Sequence, residues 1–127
     1  EIVNTRRKLD AGAQFLQTQA LYEPVTLEKF LDVLKPDGVA ILAGIIPLKS
    51  AKMAAWLNAH VPGIRVPDAL LEEIAAAGSA GREIPVGIDI AARTIRAVRG
   101  MCAGVHMMMM GWESHIPEIL QASGVRA

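Results

Sequence analysis

Two carboxamides, Gln17 and Gln19, stand at the C-terminal end of the segment Ala13 to Gln19, just after the apolar pair Phe15 and Leu16. In an extended segment side chains alternate, so Phe15, Gln17 and Gln19 share one face and Leu16 and Thr18 the other. A carboxamide on an inward face is costly unless something pairs with it. Each offers donors and an acceptor, which suits it to read the edge of a heteroaromatic ring or another carboxamide. The plain alternative is a structural amide tying a loop to a rim. His106, followed by four methionines from Met107 to Met110, is the second unusual feature. A lone histidine on an apolar strand is ordinarily satisfied in the core, and metal binding would need partners that the sequence does not cluster. Methionines fill irregular space, including space beside a flat ring, but they are also ordinary core residues. His60 and His115 fall on helical segments, where surface or packing roles are the default. Gly78-Ser79-Ala80-Gly81 reads as a joint, and no phosphate-binding fingerprint or nucleophile elbow is present.

The elements that must position these residues alternate. Residues 1–10 read as a helix end, with Arg6, Arg7 and Lys8 complementing the helix dipole and Gly12 closing it. A strand over 13–19 follows. Thr26 is the expected cap of the next helix, which carries Leu27, Phe30, Leu31 and Leu34 on one stripe and stops at Pro36-Asp37-Gly38. Val39 to Ile45 is an uninterrupted apolar run, as expected of a parallel strand buried on both faces, and Gly44 and Pro47 shape its end. Ser50 caps a third helix bearing Met53, Trp56, Leu57 and His60, and Pro62-Gly63 breaks it. A short helix opens at Pro67-Asp68, a longer one runs from about Ile84 to Arg99, and the third strand spans Ala103 to Met110. Ser114 is the expected cap of a last helix, with Pro117 tolerated in its first turn. Strands alternating with helices imply parallel β/α units with right-handed crossovers. Polar residues gathered at strand C-terminal ends are how a β/α barrel builds a site.

Composition narrows the classes. At 127 residues the chain suits one domain spanning 1–127, yet falls short of the roughly 200 residues of a complete eight-stranded barrel. Hydrophobic residues make up 52% and aromatics only 4%, an aliphatic composition fit for buried parallel strands. Thirteen basic and thirteen acidic residues cancel, and no basic tract interleaves with aromatics, so nucleic-acid binding has no support. No apolar stretch is long enough to suggest a membrane span. Cys102 is the one cysteine, which excludes an intrachain disulfide and a cysteine-cluster metal site. The reducing cytoplasm is the expected compartment. With Glu1 as first residue and no leader pattern, a fragment of a longer chain is expected.

The strand Ala13 to Gln19, the turns Gly44-Ile45-Ile46-Pro47 and Ile64-Arg65-Val66-Pro67, and the strand Gly104-Val105-His106 also occur in this order in a known family. Together they resemble the methylenetetrahydrofolate reductase family from about Lys8 to the C-terminus. The resemblance implies the C-terminal portion of a (β/α)8 TIM barrel, with about three parallel strands and flanking helices. It implies a flavin cofactor, FAD or FMN, reduced by NADH, NADPH or a ferredoxin-type donor, and 5,10-methylenetetrahydrofolate as the substrate reduced to 5-methyltetrahydrofolate. By the same resemblance Gln19 matches a glutamine that contacts folate and nicotinamide in turn. Lys8 matches a lysine reaching the flavin phosphate region, and Gln17 lies one pleat deeper, near the flavin ring. Leu57 stands where an aromatic often packs on the substrate, and Met108 where a tyrosine often contacts folate. Trp112 replaces an arginine, and Gly111-Trp112-Glu113 is similar to the shorter bacterial and archaeal branch. The acidic residue that assists folate protonation and most flavin contacts would lie in the other barrel half, so no catalytic residue is assigned here and the isolated chain is expected to be inactive.

A slice of three strands exposes a barrel interior and two strand edges, and such edges invite pairing. Association with a second copy or with the missing N-terminal barrel half is therefore expected. Two rival readings remain at this point: a non-catalytic partial-barrel module that docks a partner chain, and another β/α-barrel enzyme of one-carbon metabolism, since fold does not fix function.

Overall fold

Local signals end the first helix where its sequence says they should. Helix α1 (Ile2–Asp10) carries Arg7 and Lys8 in its last turn, and the backbone closes through Gly12 N–H to Leu9 O and Ala13 N–H to Lys8 O. Gly12 takes φ +98°, a conformation cheap only for glycine. The chain then enters strand β1 (Phe15–Ala20), α2 (Pro24–Leu34), β2 (Ala40–Ile45), α3 (Ala51–His60), α4 (Asp68–Ser79), α5 (Glu83–Val98), β3 (Gly104–Met107) and, after a 3₁₀ turn over Glu113–His115, α6 (Ile116–Ser123). This computed structural model describes residues 1–125.

Two caps differ from expectation. Helix α2 starts at Pro24 with Glu23 before it, so Thr26 is inside the helix, its N–H donating to Glu23 O. Proline at the first helical position needs no N–H partner and presets the helical φ, which moves the start ahead of the threonine. Ser114 lies within the 3₁₀ turn, and α6 starts after His115. Ser50 behaves as expected: its Oγ accepts from Met53 N–H at 3.1 Å. The third strand is shorter than the apolar run. Met108 N–H still reaches Ile45 O at 2.8 Å, but Met110 and Gly111 then turn left-handed at φ +51° and +94°.

The three strands form one parallel sheet in the order β1-β2-β3. Phe15, Leu16 and Gln17 register with Ala40, Ile41 and Leu42, while Gly44 and Ile45 register with His106 and Met107. One face is covered by helices. There Ile45 packs with Ile88, Ala91, Ile95 and Ile119, and Ile41 and Ala43 pack with Leu27 and Val98. Burying each of the isoleucine, leucine and valine side chains among these contributes about 1.5–3 kcal/mol. The opposite face holds Phe15, Gln17, Leu42 and His106 and is open. Among the described residues the architecture is thus α/β, three parallel strands with six α-helices, consistent with part of a β/α barrel.

Helices α3 and α4 are an excursion beyond the strand ends. Their buried residues Ala54, Leu57, Ile74 and Ala77 pack with Ala20, Tyr22, Ile46 and Leu48, all at or past the C-terminal ends of β1 and β2. Helix α5 makes the return crossover and approaches very closely. A Cβ on Gly87 would stand 2.3 Å from Leu48 O and 3.0 Å from the Trp112 ring, so glycine is what admits this contact. No described helix is long and apolar enough to cross a membrane.

Candidate active-site groove at the strand ends

Strand β1 does not run straight to its end. Gln17 pairs with Leu42 but Ala20 pairs with Gly44, so β1 carries one extra residue there. Such a bulge kinks a strand and re-aims its side chains. Thr18 fills the interruption, its Oγ1 accepting from Gly44 N–H at 2.9 Å and donating to Gln19 O at 2.7 Å. The ladder resumes with Leu21 N–H to Gly44 O at 2.9 Å. Gly44 is the condition for this: its Cβ would lie 2.6 Å from Thr18 O and 2.7 Å from Gln19 O. The sequence suggested that Gly44 shapes the rim, and the bulge is the physical reason.

Gln17 and Gln19 are both exposed, as is Phe15 at 56%. The Gln19 carboxamide lies over Gly63 in the turn after α3, with Oε1 only 2.1 Å from where a Cβ would stand. Gln17 Nε2 comes within 3.5 Å of His106 Nδ1, bridging β1 and β3 across β2. Gly44 is the strand partner of His106 and puts no side chain between them. His106 therefore belongs to the open face with Gln17, a placement that alternation on β3 implied but that an isolated histidine did not announce.

A groove of about 540 Å³ runs along β1 and brings Lys8, Gln17 and Gln19 together with Thr5 and Gly63. That volume lies within the range of small-molecule and cofactor sites. Glu1, Leu16, Leu27 and Phe30 also line it. A lysine cation and two carboxamides on one groove wall are groups that suit a phosphate-bearing ligand with a polar heterocycle. Three of the five residues singled out from the sequence thus line one groove. The other two do not line it. Leu57 is 1% exposed within the apolar cluster under α3 and α4, and Met108 packs against that same cluster. Trp56 is half exposed and stacks on His60 with centroids 5.0 Å apart.

Residues that sequence reasoning passed over hold this rim in place. Asn58 Oδ1 accepts from Val66 N–H at 2.7 Å while Nδ2 donates to Val66 O at 3.0 Å, so one side chain satisfies both backbone groups of a buried residue. Tyr22 OH donates to Ile46 O at 2.8 Å, and burial pushes its phenol well above the ordinary value. At the end of β3, Lys49 Nζ donates to Met110 O, and Glu113 accepts from Gly111 N–H at 3.2 Å. Hydrogen bonds from the Glu113 and Gly111 backbone, assisted by Lys49, hold the Glu113 carboxyl below its ordinary value. Lys49 and Asn58 carried no sequence signal, because their partners are backbone groups brought near by turns. Among the described residues no three histidine, cysteine or carboxylate groups are placed to hold a metal ion.

A family model described as methylenetetrahydrofolate reductase matches residues 1–124. The "Methylenetetrahydrofolate reductase 2" of Schizosaccharomyces pombe is 26% identical over 129 residues, covering 93% of this chain and 20% of that protein. The "Probable methylenetetrahydrofolate reductase (NADPH)" of Caenorhabditis elegans is 26% identical over 133 residues, covering 98% of this chain and 20% of that protein. The chain spans about one fifth of the length of these relatives. With the match running through β1, β2 and β3 and all the rim between them, the chain belongs to the methylenetetrahydrofolate reductase family.

Proposed function

We propose that this chain supplies the folate- and flavin-facing C-terminal part of a barrel that reduces 5,10-methylenetetrahydrofolate to 5-methyltetrahydrofolate. The observation that carries this reading is that Lys8, Gln17 and Gln19 line one groove along β1, the edge strand of a parallel sheet. A bound flavin, FAD or FMN, would supply the hydride chemistry, drawing on NADH, NADPH or a ferredoxin-type donor. The chain's own residues bind and orient. The Lys8 ammonium meets the cofactor's phosphate charge. Gln17, paired with His106, presents amide hydrogen bonds toward the ring. Gln19, farther out on the bulge, reads the edge of the pterin and, in the other half-reaction, of the nicotinamide. Leu57 and Met108 contribute indirectly, as apolar packing in the cluster that supports the rim.

The chain alone is expected to lack turnover and to associate, either with itself or with the remaining barrel strands, through the outer edge of β1. In the full-length protein containing this chain, Lys8→Ala should lower flavin retention and Gln19→Ala should weaken folate binding while flavin stays bound. Unchanged flavin content in the first variant and unchanged folate affinity in the second would sink the reading. Turnover by the purified 127-residue chain would overturn the expected inactivity.

A second reading, a non-catalytic partial barrel that docks a partner chain, is favoured by the exposed Phe15 and by the unpaired outer edges of β1 and β3 among the described residues. A protein that forms stable complexes yet never retains flavin or folate would support it.

A further inference from the structure

A carboxamide reads a ligand only if its two unlike ends are held the right way round, since one donates and the other accepts. A free glutamine side chain also loses rotamer freedom on binding, which weakens any contact it makes. Gln19 is exposed, and among the described residues its carboxamide makes no hydrogen bond, so something else must restrict it. The turn between α3 and α4 does so. Gly63 has φ +85°, and the space where its Cβ would be is taken by the Gln19 amide: Oε1 at 2.1 Å, Cδ at 3.1 Å and Nε2 at 3.5 Å from that point. The oxygen end therefore sits in a notch that exists because residue 63 has no side chain.

The notch is itself held still. Ile64 N–H donates to Val61 O at 3.2 Å, and both Ile64 and Val66 are buried in the apolar cluster above the strand ends. Asn58 then clamps Val66 through both of its backbone groups. At its other end Gln19 is fixed by the bulge, where its carbonyl accepts from Thr18 Oγ1. A side chain anchored at its base and seated at its tip has few rotamers left.

We propose that Gly63 and Asn58 are positioning residues for Gln19: Gly63 provides the seat for the carboxamide and Asn58 locks the turn that carries the seat. The role rests on the reading of Gln19 as a ligand-contacting residue, and the test separates the two. In the full-length protein with selectively ¹⁵N-labelled glutamine, Gly63→Ala should move the Gln19 side-chain amide resonances with no ligand present. Gly63→Asn, a residue type that tolerates positive φ, should move them too while keeping the turn's backbone conformation. With 5-methyltetrahydrofolate as the probe, Gly63→Ala should weaken binding about tenfold in the Gln19 background and leave it unchanged in the Gln19→Ala background, the signature of coupled neighbours. Asn58→Ala should act in the same direction, and Asn58→Asp, which keeps the acceptor for Val66 N–H, should restore part of the loss.

Unmoved Gln19 resonances in both Gly63 variants would overturn the proposal. So would a Gly63→Ala effect of equal size in the presence and absence of the Gln19 side chain, because a merely structural glycine gives that result. Resonances that move as expected, in a protein whose Gln19→Ala variant binds folate normally, would uphold the seat and reject the folate reading of Gln19 alone.

Discussion

Gly44→Ala adds one methyl group at the point where β1 bulges, and the structure assigns it a cost. The new Cβ would meet Thr18 O at 2.6 Å, Gln19 O at 2.7 Å and the Gln19 carbonyl carbon at 2.8 Å, well inside the 3.4 Å at which ordinary contact begins. All three are backbone atoms, so no side chain can swing away and the strands must part. Overpacking of this kind costs about 1–3 kcal/mol, and parting the strands also strains the Gly44 N–H to Thr18 Oγ1 bond, worth about 1 kcal/mol. The sum, about 2–4 kcal/mol, corresponds to a melting temperature lowered by roughly 10 °C for a chain of this size. Gly100→Ala is the matched control: the same methyl group, at a glycine with nothing within 4 Å and no positive φ. There alanine restricts the unfolded chain more than glycine does and should stabilise by about 0.4–1 kcal/mol. Urea denaturation followed by circular dichroism compares the pair directly. A Gly44→Ala variant within about 0.5 kcal/mol of the parent, or a Gly100→Ala variant that loses as much as Gly44→Ala, would refute the steric account of the bulge.

Leu57→Ala should cost about 2–5 kcal/mol of stability, since Leu57 is 1% exposed, and a loss confined to ligand affinity would show that it faces the ligand instead. Tyr22→Phe orphans the Ile46 carbonyl in a buried setting and should destabilise by about 1–3 kcal/mol in the same assay; a neutral result would mean that another donor reaches that oxygen. Glu113 has a depressed carboxyl in the folded chain, so its contribution is fully present above the ordinary value of 4.5 and is lost as pH falls through the lower folded value. The Gly111 amide resonance should accordingly titrate with a midpoint below 4.5, and a midpoint at or above that value would contradict the contact. Burial pushes the Cys102 thiol above its ordinary value, against backbone hydrogen bonds from Gly104 and Ala43. Iodoacetamide should therefore alkylate it more slowly at neutral pH than free cysteine; an equal or faster rate would count against that burial.

Features written in nearest neighbours were legible from the sequence. Ser50 caps α3 because its hydroxyl needs only the N–H three residues on, and Gly12 ends α1 because only its own φ is at stake. Thr26 and Ser114 carry the same local signal, yet Pro24 and the 3₁₀ turn start their helices elsewhere. The alternation of β1 was legible but incomplete, since the bulge that aims Gln19 depends on Gly44, 25 positions downstream. Lys8, Gln17 and Gln19 were found through resemblance and residue type, and the groove unites them. Asn58 was missed because an exposed helical asparagine says nothing of the backbone it will grip. The burial of Leu57 was hidden for a related reason: the α3–α4 excursion folds over the strand ends, and helical periodicity does not say which neighbour a stripe will meet.

Gln17 and Gln19 both sit on β1, the strand whose outer edge has no partner among the described residues. Any strand that zips onto that edge also borders the groove, which β1 lines from Leu16 to Ala20. Sheet closure and site assembly are then a single event, and ligand occupancy and strand pairing must reinforce one another by the same free energy in both directions. On the function proposed above, a ligand held in the groove acts as a fastener and should tighten the grip of whatever strand pairs with β1.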